Sequence, residues 1–172
     1  MSRFLATFFF IGYLRPAPGT WGSLAALPFI WALHELGRLY LPWDLGGPIL
    51  LSIGLVLAFI CGLWATRDMT ATMDDHDPSE IVIDEVVGQG IAILPVSLGA
   101  AGVGADVLAL YPGWIVGFIA FRAFDIWKPW IIGKADRRGG AMGVMLDDVI
   151  AGVFAAIVVL LAAAASHAFI LA

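Results

Sequence analysis

An all-α bundle that crosses a membrane about five times is the fold this sequence predicts. Three observations predict it. Of 172 residues, 61% are hydrophobic and only 13% charged, with a mean hydropathy of +0.94, a balance outside the soluble globular range. Uncharged runs long enough to cross the hydrocarbon of a bilayer recur along the chain. Most of the acid gathers in two short stretches, Asp68 to Glu85 and Asp125 to Asp148, flanked by those runs.

The first apolar run, Phe4 to Leu14, has only 11 residues after Arg3. That length suits an interfacial or re-entrant piece; no A-x-A cleavage site follows, so a signal peptide is rejected. Trp21 to Leu36 is a weaker candidate crossing, ending in His34 and Glu35. Leu45 to Ala65 is a run of 21 residues without a formal charge, the length of a spanning helix. Val86 to Ala105 is another run of 20, interrupted by Pro95 and several glycines that would kink it. Val107 to Trp127 carries Pro112, Arg122 and Asp125 and is the second weaker span, while Val149 to Ala172 lacks Asp, Glu, Lys and Arg throughout. No internal repeat is visible, so one domain over residues 1–172 is expected. Cys61 is the only cysteine, so neither a disulfide framework nor a thiolate metal site is available.

Orientation follows from the basic residues. Arg3, Arg15, Arg67, Arg122, Lys128, Lys134, Arg137 and Arg138 fall on one side of such a topology, and only Arg38 on the other. The positive-inside rule then places the N-terminus, the 66–85 loop and the 128–147 loop in the cytoplasm. Of 14 acids, 11 share that face, the exceptions being Glu35, Asp44 and Asp106. With hydropathy this high a membrane is the expected partner, and with a net charge of -5 a nucleic acid is not.

Carboxylates are costly beside hydrocarbon, so a cluster of them at a helix end points to a site that holds a cation. In Asp74-Asp75-His76-Asp77-Pro78-Ser79-Glu80-Ile81-Val82-Ile83-Asp84-Glu85, six acids and a histidine occupy twelve positions. Hard oxygen ligands of this kind suit magnesium better than zinc; a solvated loop before a helix N-terminus explains Asp74 and Asp75 equally well. Asp84 and Glu85 follow three β-branched residues and precede an apolar run, at the membrane boundary. In Phe121-Arg122-Ala123-Phe124-Asp125-Ile126-Trp127-Lys128-Pro129, Asp125 and Lys128 share a helix face if the helix persists that far, although Pro129 disfavours it. An acid for metal beside a lysine for phosphate suits phosphoryl chemistry; a structural ion pair of Asp125 with Arg122 or Lys128 is the alternative.

The third segment runs Asp136-Arg137-Arg138-Gly139-Gly140-Ala141-Met142-Gly143-Val144-Met145-Leu146-Asp147-Asp148 into the last long helix. Gly139 and Gly140 would let backbone N–H groups approach a phosphate at a helix N-terminus. Asp147 or Asp148 could serve instead as an N-cap, and Arg137 and Arg138 as contacts to anionic headgroups. Arg15-Pro16-Ala17-Pro18-Gly19-Thr20-Trp21-Gly22-Ser23 forms a turn that brings a hydroxyl and free amides, at Thr20, Trp21 and Gly22, to the same face; an entry loop with a Trp anchor is the alternative.

Taken together, the blocks Ala17–Ser23, Ile81–Gly88, Phe121–Pro129 and Gly139–Gly152 resemble those of the phosphatidylglycerophosphatase A family, bacterial lipid phosphatases that release phosphate from phosphatidylglycerophosphate to give phosphatidylglycerol. The resemblance implies an all-helical, magnesium-dependent enzyme of the bacterial inner membrane. It implies metal ligation by Asp84, Glu85, Asp125, Asp147 and Asp148, and catalytic roles for Asp84, Asp125, Lys128 and Asp148. Substrate contacts are then expected at Thr20, Trp21, Gly22, Lys128, Arg137, Arg138, Gly139 and Gly140. Water attack and an aspartyl-phosphate intermediate stay open as routes. A membrane cation transporter using the acids as an ion site is the rival reading. The D-G-x-x-A-R signature of alcohol phosphatidyltransferases is absent, as are the arginine and histidine motifs of histidine-dependent lipid phosphatases.

Overall fold

The computed structural model describes residues 1–71 and 78–171. Asp74, Asp75, His76 and Asp77 lie outside the described residues. The described chain is helical, with no strand among the described residues. Its helices are α1 (Ser2–Ala6), α2 (Pro18–Tyr40), α3 (Gly46–Thr70), α4 (Ile83–Val103), α5 (Tyr111–Trp127), α6 (Ile131–Asp136) and α7 (Gly140–Leu171). Single 3-10 turns at Ile11–Tyr13 and Val107–Leu110 precede α2 and α5.

Four of these segments are long and apolar enough to cross a membrane: Gly46–Thr70, Ile83–Val103, Val107–Trp127 and Gly140–Phe169. The chain is therefore a multi-pass membrane protein. The span expected over Trp21 to Leu36 is realised as α2, whose 23 residues suffice in length. Two tryptophans, two prolines and the polar turn His34-Glu35 with Arg38 dilute its apolar character below that of the other four. Where an 11-residue interfacial piece is expected near the N-terminus, α1 is followed by Phe8, Phe9 and Phe10 with φ between 42 and 69°. The Thr7 hydroxyl holds that turn, donating to Arg3 O at 2.8 Å and accepting from Phe10 N at 3.1 Å.

The long helices alternate in direction. Gly19 at the start of α2 abuts Glu85 at the start of α4 and Arg122 near the end of α5, whereas Gly37 near the end of α2 abuts Gly46 at the start of α3. Deeper in the bundle His34 Nδ1 lies 2.7 Å from Ser97 Oγ, joining α2 to the far half of α4. α4 is the centre, packed against α2, α3, α5 and α7. Inside a bilayer the apolar side chains of a bundle gain little by leaving lipid, so association rests on close packing of small residues. α4 and α7 cross where Gly88 meets the Asp148 carbonyl and Gly152 meets the Gly88 carbonyl, with no room for a Cβ at either. Phe121, Ile93 and Met145, all fully buried, fill the space around that crossing.

This crossing fixes the level at which the acids of α4 and α7 meet, so it is the most sensitive point of the fold. Gly152→Ala forces a methyl into the Gly88 backbone and is expected to cost about 1–3 kcal/mol. Gly102→Ala, where an added Cβ meets open space, should be neutral or stabilising by up to ~1 kcal/mol. Thermal unfolding in detergent, followed by tryptophan fluorescence, measures both; equal midpoints for the two variants would remove the crossing from the account.

Candidate active site

The lead-in to α4 is anchored before the first acid appears. Val82 N donates to Ala6 O at 2.9 Å, and Ile81, Val82 and Ile83 are all buried. Three β-branched residues thus plug the end of the bundle and leave Asp84 and Glu85 in the first turn of α4, where the helix dipole favours negative charge. On α7 the helix begins at Gly140, earlier than the uncharged run suggested, so Asp147 and Asp148 stand two turns inside it. That removes the N-cap alternative for both. Beneath them Met145 and Ile83 close over Gly62 of α3, forming an apolar floor.

Carboxylate oxygens of Asp84, Glu85 and Asp148 lie within 4.8 Å of one another. Asp84 is 8% exposed and Asp148 3%. Two ion-paired groups flank this trio. Arg122 Nη1 sits 2.6 Å from Asp125 Oδ2, 4.0 Å from Glu85 Oε1 and 3.4 Å from Ser23 Oγ. Lys128 Nζ donates to Asp147 Oδ2 at 2.7 Å and also to Asp136 Oδ1. All but Asp136 and Ser23 line one cavity of about 310 Å³, together with Pro18, Gly19, Ser79 and Val144.

Lys128 explains why Asp125 does not pair with it across one helix face. α5 ends at Trp127, and Lys128 takes a left-handed conformation, φ 46°, before Pro129. A non-glycine residue there costs about 1–2 kcal/mol, and the turn swings the ammonium to Asp136 and Asp147. Asp125 is left to Arg122, three residues earlier on the same face. Burial by itself would depress the Lys128 pKa, but the hydrogen bonds and charges of Asp136 and Asp147 outweigh it, and the ammonium is held above the ordinary lysine range.

The remaining sequence-derived site residues are placed elsewhere. Thr20, Trp21 and Gly22 lie in the first turns of α2; Gly22 packs on Val82 and Trp21 is exposed, while the cavity wall is made by Ala17, Pro18 and Gly19 just before them. Arg137, Arg138, Gly139 and Gly140 are exposed and outside the cavity lining. The two glycines have φ of 69° and 65°, so they serve the turn into α7. Sequence reasoning gave no site role to Asp136, Ser23 or Gln89. Gln89, wholly buried with both amide atoms unpartnered, stands one turn beyond Glu85, a spacing visible in the sequence.

The donor set fits a hard divalent cation. Glu85 Oε2, Asp147 Oδ1 and Asp148 Oδ2 are buried and accept no hydrogen bond among the described residues. Among the described residues, six carboxylates (Asp84, Glu85, Asp125, Asp136, Asp147, Asp148) face only Arg122 and Lys128 as fixed cations. An unpaired buried carboxylate costs several kcal/mol, and clustered oxygens with free lone pairs are what magnesium or a similar ion takes.

Residues 4–163 match the family described as phosphatidylglycerophosphatase A. The chain belongs to that family. It is 36% identical over 154 residues to phosphatidylglycerophosphatase A of Escherichia coli K12, covering 88% of this chain and 77% of the relative. It is 38% identical over 157 residues to the Haemophilus influenzae protein of the same name, covering 90% and 84%. A Bacteroides thetaiotaomicron protein with the provisional name phosphatidylinositol-3-phosphatase is 36% identical over 160 residues, covering 92% and 91%. No solved structure gives a significant match.

The raised Lys128 pKa has a measurable consequence. The lysine adds stability that is fully present below about pH 10.4, its unfolded value, and is lost as pH rises through the higher folded value. At pH 9.5 an acylating reagent should therefore modify exposed Lys134 and spare Lys128, as read by mass spectrometry. Equal labelling of these two lysines would show that the Asp136 and Asp147 contacts do not hold the charge.

Proposed function

We propose that this chain hydrolyses the terminal phosphomonoester of phosphatidylglycerophosphate, with magnesium, to phosphatidylglycerol and phosphate in glycerophospholipid synthesis. It acts as a single integral-membrane domain over residues 1–172 of the bacterial inner membrane, with its site on the cytoplasmic face. The observation that carries this reading is the clustered trio Asp84, Glu85 and Asp148, with unpartnered buried oxygens on Glu85 and Asp148, beside two fixed cations. The names of the relatives share a phosphatase acting on a phosphatidyl lipid. Eight of the nine basic residues on the side of the acids support the cytoplasmic face.

Asp84, Glu85 and Asp148 would hold the ion, with Asp125 and Asp147 on the adjacent walls. Bound there, magnesium supplies neutralisation of phosphate charge and a more acidic water. With carboxylates outnumbering cations around the cavity among the described residues, the site favours a phosphomonoester only once a cation is bound. Lys128, fixed by two carboxylates, presents its ammonium at the cavity wall to the phosphate. In the hydrolysis a water oxygen bonds to phosphorus, the ester P–O bond breaks, and one proton passes from the water to the glycerol oxygen. Asp125, hydrogen-bonded by Arg122 and on the cavity wall, is positioned to carry that proton.

The test is phosphate release by the purified chain from phosphatidylglycerophosphate, phosphatidic acid, phosphatidylinositol 3-phosphate and soluble glycerol phosphate, with and without magnesium. Release from phosphatidylglycerophosphate that needs magnesium is expected; activity on the soluble compound alone would displace the lipid assignment. Removing a ligand removes several kcal/mol of charge stabilisation, so Asp148→Asn and Asp84→Asn should lose about 1,000-fold or more in kcat. Asp125→Asn should likewise abolish turnover while the protein stays folded. Wild-type rates in any of the three would remove that residue from the mechanism.

A further inference from the structure

Lys128 is the basic residue that the sequence marks for phosphate, yet two of its three N–H donors already engage Asp136 and Asp147. Arg122 lines the same cavity with the opposite balance. Its Nη1 is spent on Asp125 and Ser23, while Nη2 makes no hydrogen bond among the described residues and is not among the buried unpartnered atoms. The side chain is 14% exposed, so it is sunk in the bundle with part of its fork open to the cavity.

The Ala17–Ser23 segment is shaped around this guanidinium. Ser23, wholly buried, donates to Gly19 O at 2.9 Å and accepts from Arg122 Nη1. A Cβ on Gly19 would stand 3.2 Å from both Nη1 and Nη2 of Arg122 and would collide with Glu85 Oε1. Glycine is thus the residue that lets the α2 backbone cover the guanidinium without displacing it. A structural ion pair to Asp125 alone needs neither the cover at Gly19 nor a free donor on a side chain that lines the cavity.

We propose that Arg122 is a phosphate-binding residue of this site, seated by Gly19 and Ser23 so that its free donor edge meets the phosphoryl oxygens. The assignment rests on the phosphatase reading and adds to it a second anion contact beside Lys128. Guanidinium offers paired, planar donors to phosphate that an ammonium does not, so an Arg122→Lys exchange at this seat is not conservative.

Inorganic phosphate is the probe, with the full chain in detergent and magnesium present, its binding followed by phosphorus NMR independently of turnover. Charge-assisted hydrogen bonds of about 1.5–3 kcal/mol correspond to a ~10- to 150-fold weaker phosphate affinity in Arg122→Lys and Arg122→Gln. Gly19→Ala, which keeps every charge but crowds the seat, should weaken phosphate in the same direction. Manganese binding to the carboxylate trio, read by electron paramagnetic resonance in the two Arg122 variants, should not weaken, since Arg122→Lys keeps the charge and Arg122→Gln removes a cation 4.0 Å from Glu85; Gly19→Ala is left out of this readout because its Cβ also meets Glu85 Oε1. Added guanidinium should restore part of the lost activity to Arg122→Ala. Unchanged phosphate affinity in the Arg122 variants, or loss of manganese in step with phosphate, overturns the proposal. Wild-type protein that binds phosphate through Arg122 but hydrolyses no lipid phosphate would instead end the phosphatase reading and leave the anion site standing.

Discussion

The structure depends on an excess of buried negative charge held at one end of an apolar bundle. Six carboxylates and two fixed cations share a region whose floor is Met145, Ile83 and Phe121. In a medium of low polarity, like charges a few ångströms apart repel strongly. The arrangement persists only because the helices carrying those charges are fixed by packing that does not involve them. The Gly88–Gly152 crossing sets the relative height of α4 and α7, and the Val82–Ala6 hydrogen bond sets where α4 begins. Function here draws on stability supplied elsewhere in the chain.

The same constraint explains how the two cations are divided. Arg122 and Lys128 both belong to the end of α5, yet they serve opposite walls because Lys128 leaves the helix in a left-handed turn. Each wall carries a cation between carboxylates, and of the trio only Glu85 reaches a cation, Arg122, at 4.0 Å. That distribution leaves the deficit of positive charge in one place, where an oxygen-coordinated ion fits the donors.

Much of this was legible in the sequence, for a physical reason. Hydropathy over about 20 residues is dominated by the bilayer, so α3, α4 and α7 are visible as uncharged runs. The acids at 84, 85, 125, 147 and 148 are conspicuous because isolated carboxylates beside such runs are expensive. What the sequence hid are matters of direction. Gly139 and Gly140 stand at the start of a helix and resemble a phosphate loop, but the turn they make leaves them outside the cavity. The Ala17–Ser23 block carries a hydroxyl at Thr20 as well as at Ser23; only the packed helix tells that Ser23 faces Arg122. Side chains one residue apart on a helix diverge by about 100°, and a linear pattern does not choose between them.

Cavity size is a poor guide to where this chemistry resides, and the reason bears on the transporter reading. The larger cavity, about 920 Å³, lies at the opposite end, lined by His34, Glu35, Arg38, Asp44 and Asp106. There Glu35 Oε2 accepts from both Nε and Nη2 of Arg38, and Asp106 caps the Val107–Leu110 turn. Arg38 offsets one of the three acids at that end, and among the described residues none of the three joins a carboxylate cluster close enough to hold an ion. Between the two ends, the face of α4 turned inward reads Glu85, Gln89, Ile93, then Ser97 bonded to His34. Gln89 and Ser97 are about 12 Å apart along the helix, with wholly buried Ile93 between them. A cation crossing that interval would shed its water against hydrocarbon, at a cost far above what one amide and one hydroxyl offset. The charge imbalance therefore ends where the apolar interior begins, which suits a site that works on a substrate from one face of the membrane.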